Sequence, residues 1–163
     1  MSLSQSLVDA CRHNNIEEVK SLLSQGVNIN AIVIGGKWCN EHSGLSIAVK
    51  KSHLNLIRFL VESGANIELE TNGLTALMHA FVYADVDCAQ LLINLGANPL
   101  VVIGGENILH CAASSDKIES VQLALKYCQN VTQNDDHGIT PFQCPNPQLP
   151  EYSAIRNLLE QWI

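Results

Sequence analysis

Aromatic side chains are scarce in this 163-residue chain, at 5%, and charged ones reach only 15% against 47% hydrophobic. A core with so few rings must be assembled mainly from aliphatic side chains. Despite the hydrophobic total, no uninterrupted apolar run approaches the ~18 residues that a membrane-spanning helix requires. The N-terminus also lacks the charged, apolar and small-residue succession of a secretion leader. Positive charge is short as well: nine Lys and Arg against sixteen Asp and Glu leave a net charge of −7. That balance argues against a generic nucleic-acid binder, whose footprint is a basic stripe.

Catalytic and metal motifs are missing too. The six cysteines include no Cys-x-x-Cys pair, and Cys39-x-x-His42 has no second pair to complete a zinc site. Ile34-Gly35-Gly36-Lys37-Trp38 lacks the spacing and hydroxyl residue of a Walker loop, and Ile103-Gly104-Gly105 has no lysine. No motif places a nucleophile, a base and an acid together. Asn130-Val131-Thr132 matches a glycosylation acceptor, but without a secretion leader the match is read as coincidence. No catalytic, cofactor-binding or metal-ligating residue is therefore expected.

What the chain does have is recurrence. Leu45, Leu77, Leu109 and Phe142 open similar segments at intervals of 32, 32 and 33, whereas Leu7 to Leu45 is 38. Within each segment, stretches such as Asn55 to Glu62 place apolar residues on one helical stripe. Gly64 then follows as a left-handed stop, where a side chain would cost about 1 kcal/mol. The preceding helices, such as Leu45–Lys51, are short and rich in small residues, which lets neighbouring backbones approach. A hairpin of this length cannot bury its apolar face alone, so units must stack. Helices are predicted near 4–12, 16–25, 45–51, 54–63, 76–83, 86–95, 108–114, 118–127 and 152–161, with connecting turns that form little sheet.

The segments Gly-Leu-Thr-Ala-Leu-Met-His-Ala (73–80), Asn-Ile-Leu-His-Cys-Ala-Ala (107–113) and Asp-Asp-His-Gly-Ile-Thr-Pro-Phe (135–142) resemble the ankyrin repeat family. So do the helix ends Ser-Gln-Gly-Val-Asn-Ile-Asn (24–30), Glu-Ser-Gly-Ala-Asn-Ile-Glu (62–68) and Asn-Leu-Gly-Ala-Asn-Pro (94–99). The resemblance implies an all-α solenoid of about five stacked helix-turn-helix units with projecting turn fingers. As one domain over 1–163 it divides into an N-terminal cap with an extended finger (1–37), units at 38–69, 70–101 and 102–134, and a C-terminal cap (135–163). Gly44, Ala76 and Ile108 replace the family's proline. Cys128 stands where a glycine belongs, so the fourth unit should end its second helix less cleanly. His110 occupies the slot where such repeats hold a histidine whose ring bonds the neighbouring turn.

In this register Cys111 and Cys144 share a slot in successive units, which helix packing sets about 8–10 Å apart. A disulfide needs Cα atoms within roughly 7 Å, so the cysteines read as reduced, small hydrophobes in a reducing, cytoplasmic compartment. The 38-residue interval carries five residues more than a 33-residue unit, most naturally within 33–37, which makes the first finger long and places Trp38 near its tip. Trp38 is either an anchor for a partner or a plug; the neighbouring Ile32, Val33 and Ile34 need cover and favour the plug. At the far end, Pro145, Pro147 and Pro150 interrupt the last hairpin and keep its first helix short. The helix around Tyr152, Ile155, Leu158, Leu159 and Trp162 is then a cap, or a lead into another domain if the chain continues.

The resemblance also implies that fingers and outward faces of the first helices line a concave groove. The candidate partner-binding residues are Arg12, His13, Trp38, His42, Lys50, Lys51, Leu74, Val82 and Tyr83. Arg12, Lys50 and Lys51 gather at one end of an acidic array, where they serve an acidic partner or are merely solvated. Tyr83 is the stronger candidate, since aromatic anchors dominate many binding energies. The expected function is a monomeric, non-enzymatic module that binds a protein or peptide with acidic residues, and no nucleic acid or membrane. The alternative is the substrate-targeting part of an enzyme, or a microbial effector acting in the host-cell cytosol.

Overall fold

The computed structural model describes residues 2–35 and 40–162, so Trp38 and Cys39, with the anchor-or-plug reading, lie outside the described residues. An inner row of helices comprises α1 (Leu3–Arg12), α3 (Gly44–Lys50), α5 (Ala76–Val82) and α7 (Ile108–Ser114). An outer row comprises α2 (Ile16–Ser24), α4 (Leu54–Glu62), α6 (Val86–Asn94), α8 (Ile118–Leu125) and α9 (Tyr152–Glu160). Every boundary falls within two residues of the position the apolar stripes predict. None of these helices is long and apolar enough to cross a membrane.

The inner helices start at polar caps that recur every 32 residues: Ser43, Thr75 and Asn107. Each side chain accepts the backbone N–H three residues on, at 3.1, 3.4 and 3.1 Å. Such a cap contributes about 1 kcal/mol and starts a helix without the proline that Gly44, Ala76 and Ile108 replace. The last unit has that proline, Pro141, yet forms only a 3₁₀ turn over Pro141–Gln143. Pro145 follows at once, and the short first helix expected there is reduced to that turn.

Each hairpin bends at a residue in the left-handed region: Asn14, Ser52, Ala84 and Asp116, all with φ of 55–57°. The outer helices of the first three units end at Gly26, Gly64 and Gly96, with φ of 83°, 95° and 98°. At the fourth unit Cys128 cannot take that shape cheaply, and its N–H instead reaches the Ala124 carbonyl at 2.8 Å. The fourth outer helix thus ends on a helical bond and without the left-handed glycine turn that closes the first three.

Stacking runs unit by unit. α1 packs on α3, α3 on α5, α5 on α7 and α7 on the 3₁₀ turn, while α4, α6, α8 and α9 form the outer succession. Leu56, Leu60, Leu77, Met78, Phe81, Leu92, Ile108 and Leu109 are fully buried between units, and Ala48, Ala80 and Ala112 keep the inner backbones close. Each large aliphatic side chain so buried contributes roughly 1.5–3 kcal/mol.

The fingers project from the inner ends. The first is a hairpin of β1 (Val33–Gly35) antiparallel to β2 (Asn40–His42), pairing Val33 with His42 and Gly35 with Asn40. The second and third close more tightly, with Thr71 bridged to Leu74 and Ile103 to Glu106. Their central pairs, Asn72-Gly73 and Gly104-Gly105, both lie at positive φ, the two-residue hairpin geometry that favours Asn and Gly.

Candidate functional site: a cleft between the first two fingers

Glu41 and Asn72 clasp the first finger to the second. The Glu41 N–H donates to Asn72 Oδ1 at 2.9 Å, the Asn72 N–H to Glu41 Oε2 at 3.0 Å, and the Asn72 side-chain amide to the Glu41 carbonyl at 2.8 Å. Between this clasp and the inner helices lies a cleft of about 220 Å³. Ser46 and Lys50 of α3 and His79, Val82 and Tyr83 of α5 and its cap form one wall; Asn40, Glu41, His42, Asn72 and Leu74 form the other.

Its floor is a buried imidazole. His79 Nε2–H donates to the Thr71 carbonyl at 3.0 Å, with Thr71 Oγ1 at 3.1 Å. Burial holds its pKa below the ordinary value, the Thr71 bond works against that, and Lys50 and His42 add to the depression. The Tyr83 ring lies over His79 with centroids 6.1 Å apart and planes 9° from parallel. Lys50 Nζ stands 5.9 Å from the Tyr83 centroid, within cation–π reach. His42 is also held low, first by its partial burial, then by Lys50 and Arg12. Both rings are thus mainly neutral near pH 7 beside a permanent positive charge.

Of the nine candidate residues, the structure brings His42, Lys50, Leu74, Val82 and Tyr83 into this one cleft. Val82 and Tyr83 are 37% and 43% exposed, much for apolar groups in a groove. Lys50 and Lys51 are exposed and have no carboxylate within 4.0 Å among the described residues. Lys51, however, does not line the cleft. Arg12 is not a free cation: Asp9, one turn earlier, takes it in an ion pair, although it still depresses His42. His13 is used at the end of α1, where Nδ1–H donates to the Asp9 carbonyl at 2.8 Å.

Sequence reasoning missed Glu41, Ser46 and His79 as parts of the cleft. Thr71, in the second finger, has a buried side chain that orients His79. His110 behaves as the resemblance implies, since Nε2–H donates at 3.1 Å to the Ile139 carbonyl in the next finger. Its Nδ1 lies 3.2 Å from the Asn107 N–H and 2.9 Å from Asn107 Oδ1, which ties the ring to the cap of α7.

Cys11, Cys88, Cys111, Cys128 and Cys144 are free thiols. Burial pushes Cys11 and Cys111 up to about 12 and Cys144 up to about 11, and raises Cys88 further, so these thiols stay protonated and poorly nucleophilic. No group of three or more His, Cys, Asp or Glu able to hold a metal ion occurs among the described residues. What the cleft can do chemically is recognise: it offers one ammonium, an imidazole with no hydrogen-bond partner among the described residues, side-chain amides and an apolar wall.

Comparison with known proteins agrees with the stack. Rabankyrin-5 of Mus musculus is 31% identical over 150 residues, covering 88% of this chain and 12% of its own length. The putative ankyrin repeat protein FPV031 of Fowlpox virus (strain NVSL) is 29% identical over 108 residues, 63% of this chain and 32% of its own. The probable E3 ubiquitin-protein ligase XBOS33 of Oryza sativa subsp. japonica is 29% identical over 124 residues, 74% of this chain and 23% of its own. The chain thus spans no more than a third of these relatives. The family described as Ankyrin repeats (3 copies) matches residues 7–103, more than half of the chain. With the stacked hairpins and the bond from His110 to the next finger, this match decides the assignment: the chain belongs to the ankyrin repeat family, whose repeats are protein–protein interaction modules.

Proposed function

We propose that this chain binds an extended segment of a partner protein along its concave groove and performs no reaction on it. The observation that carries the reading is the exposure of Val82 and Tyr83 beside Lys50, in a cleft that the stack does not need for its own packing. Acidic residues of the segment face the first two units, because Lys50 and Lys51 have no carboxylate within 4.0 Å among the described residues, on a molecule of net charge −7. An apolar residue meets Tyr83. The proposal includes one domain over the whole chain, a monomeric state and a reducing, cytoplasmic location, the last supported by five buried or half-buried thiols.

Pull-down with mass spectrometry, wild type against Tyr83→Ala, tests it. A partner retained by the wild type and lost by the variant is expected; identical captures would overturn the groove assignment. Once a partner is in hand, Lys50→Glu with Lys51→Glu should slow association and flatten its salt dependence, because exposed charges act mainly on encounter. Tyr83→Ala should mainly speed dissociation. A second reading is favoured by the relative named as a probable E3 ubiquitin-protein ligase, of which the chain spans 23%. Here the array is the substrate-targeting part of an enzyme; the fowlpox relative supports in the same way an effector acting in a host cell. Capture of the groove partner as a substrate that is modified only when the array is intact would favour this over a simple scaffold.

A further inference from the structure

We propose that the cleft between the first two fingers is a carboxylate pocket, in which Lys50 and His42 hold a carboxylate of the bound segment while Leu74, Val82 and Tyr83 cover the carbons that carry it. The inference deepens the groove reading and rests on it.

Size selects the ligand first. At about 220 Å³ the cleft is smaller than the ~300–1,000 Å³ of small-molecule sites, and it suits one side chain or one chain end. Charge selects next. Lys50 Nζ lies against the Tyr83 ring and has no carboxylate within 4.0 Å among the described residues. Glu41, the carboxylate that lines the cleft, already spends Oε2 on the Asn72 N–H. His79 has Nε2 committed to Thr71, whereas the His42 ring has no hydrogen-bond partner among the described residues and can donate an N–H. A cationic group would meet Lys50 and the nearby Arg12. A phosphate dianion would need more donors than one ammonium and one imidazole supply, and its second charge would double the repulsion from Glu41 that a carboxylate meets. A single negative charge on an apolar stem fits both walls, and an Asp or Glu side chain or a C-terminal carboxylate provides it.

The test uses isotope-labelled protein titrated with 3-phenylpropionate, its neutral amide, benzylammonium and phenylphosphate, reading the Lys50, Tyr83 and His42 resonances. Saturable shifts at all three with phenylpropionate are expected, with the amide weaker by about tenfold, since a charge-assisted bond is lost, and none with benzylammonium. Lys50→Met and His42→Gln should each weaken phenylpropionate several-fold, whereas Lys126→Met, outside the cleft, should not. Two capped probes separate the sources: an acetylated, amidated tripeptide with central glutamate, and an acetylated tripeptide ending in leucine with a free carboxylate. Binding of either supports the pocket and identifies the source. Equal binding of acid and amide, tighter phenylphosphate, or failure of both peptides overturns it. Loss of partner capture by Tyr83→Ala alongside such a failure would leave the groove reading standing and remove only the carboxylate.

Discussion

Leu77 and Tyr83 belong to the same turns of one inner helix and its cap, yet one is wholly buried and the other 43% exposed. Leu77→Ala should therefore open a cavity between units and cost about 2–5 kcal/mol. Tyr83→Ala should change stability by only about 0.5 kcal/mol or slightly more, as exposed positions do. Chemical denaturation of both variants checks this; equal losses would make Tyr83 a core residue. The histidines give a second expectation. His42 and His79 titrate below the ordinary histidine value when folded, so near and below about pH 6.5 the unfolded chain binds more protons. Stability should fall as pH drops from about 7.5 to about 5.5, and His79→Gln should make the fall shallower. Urea midpoints across that range are the measurement. At this scale the sequence was only partly legible. The ion pair that occupies Arg12 is an i, i+3 contact with Asp9 and could have been foreseen. Nothing local marks Glu41 or His79 as neighbours, because the contacts that align them cross between fingers and from finger to helix.

Among the elements, the hairpin bends carry the clearest strain. Ala84 holds φ 55° where Asn14 stands at 56° in the first unit, and a left-handed alanine is costlier than a left-handed asparagine. Ala84→Asn should stabilise the array by about 0.5–1 kcal/mol, read as a raised denaturant midpoint. The clasp between fingers can be dissected in the same manner. Asn72→Ala loses the two side-chain bonds to Glu41 and must also hold φ 53°, for a cost of about 1–3 kcal/mol. Asn72→Gly loses the same bonds but fits the turn, so it should cost less while speeding hydrogen exchange at the Glu41 amide equally. Helices were legible because stripe, cap and glycine stop repeat within each unit. The prolines foreshadowed a short first helix at Pro141, but not its reduction to a single 3₁₀ turn, which depends on how soon the chain must leave for α9.

For the molecule as a whole, stability resides in aliphatic contacts between neighbouring units, with no cross-link among the described cysteines. Adding a reductant or a chelator should leave the melting temperature unchanged; a drop of several degrees with chelator, or stoichiometric zinc by elemental analysis, would contradict this. The spacing of the left-handed bends bears on something else. Asn14 to Ser52 is 38 residues, Ser52 to Ala84 is 32 and Ala84 to Asp116 is 32, yet each hairpin bends at the same conformation. The surplus of the first interval falls in sequence between Val33 and His42, whose strands pair, and α1 still packs on α3. Lengthening a loop costs little, about 0.6 kcal/mol per doubling. The first finger is therefore an exchangeable cassette: loops of other lengths and contents could be grafted between β1 and β2, giving new recognition surfaces on an unaltered scaffold.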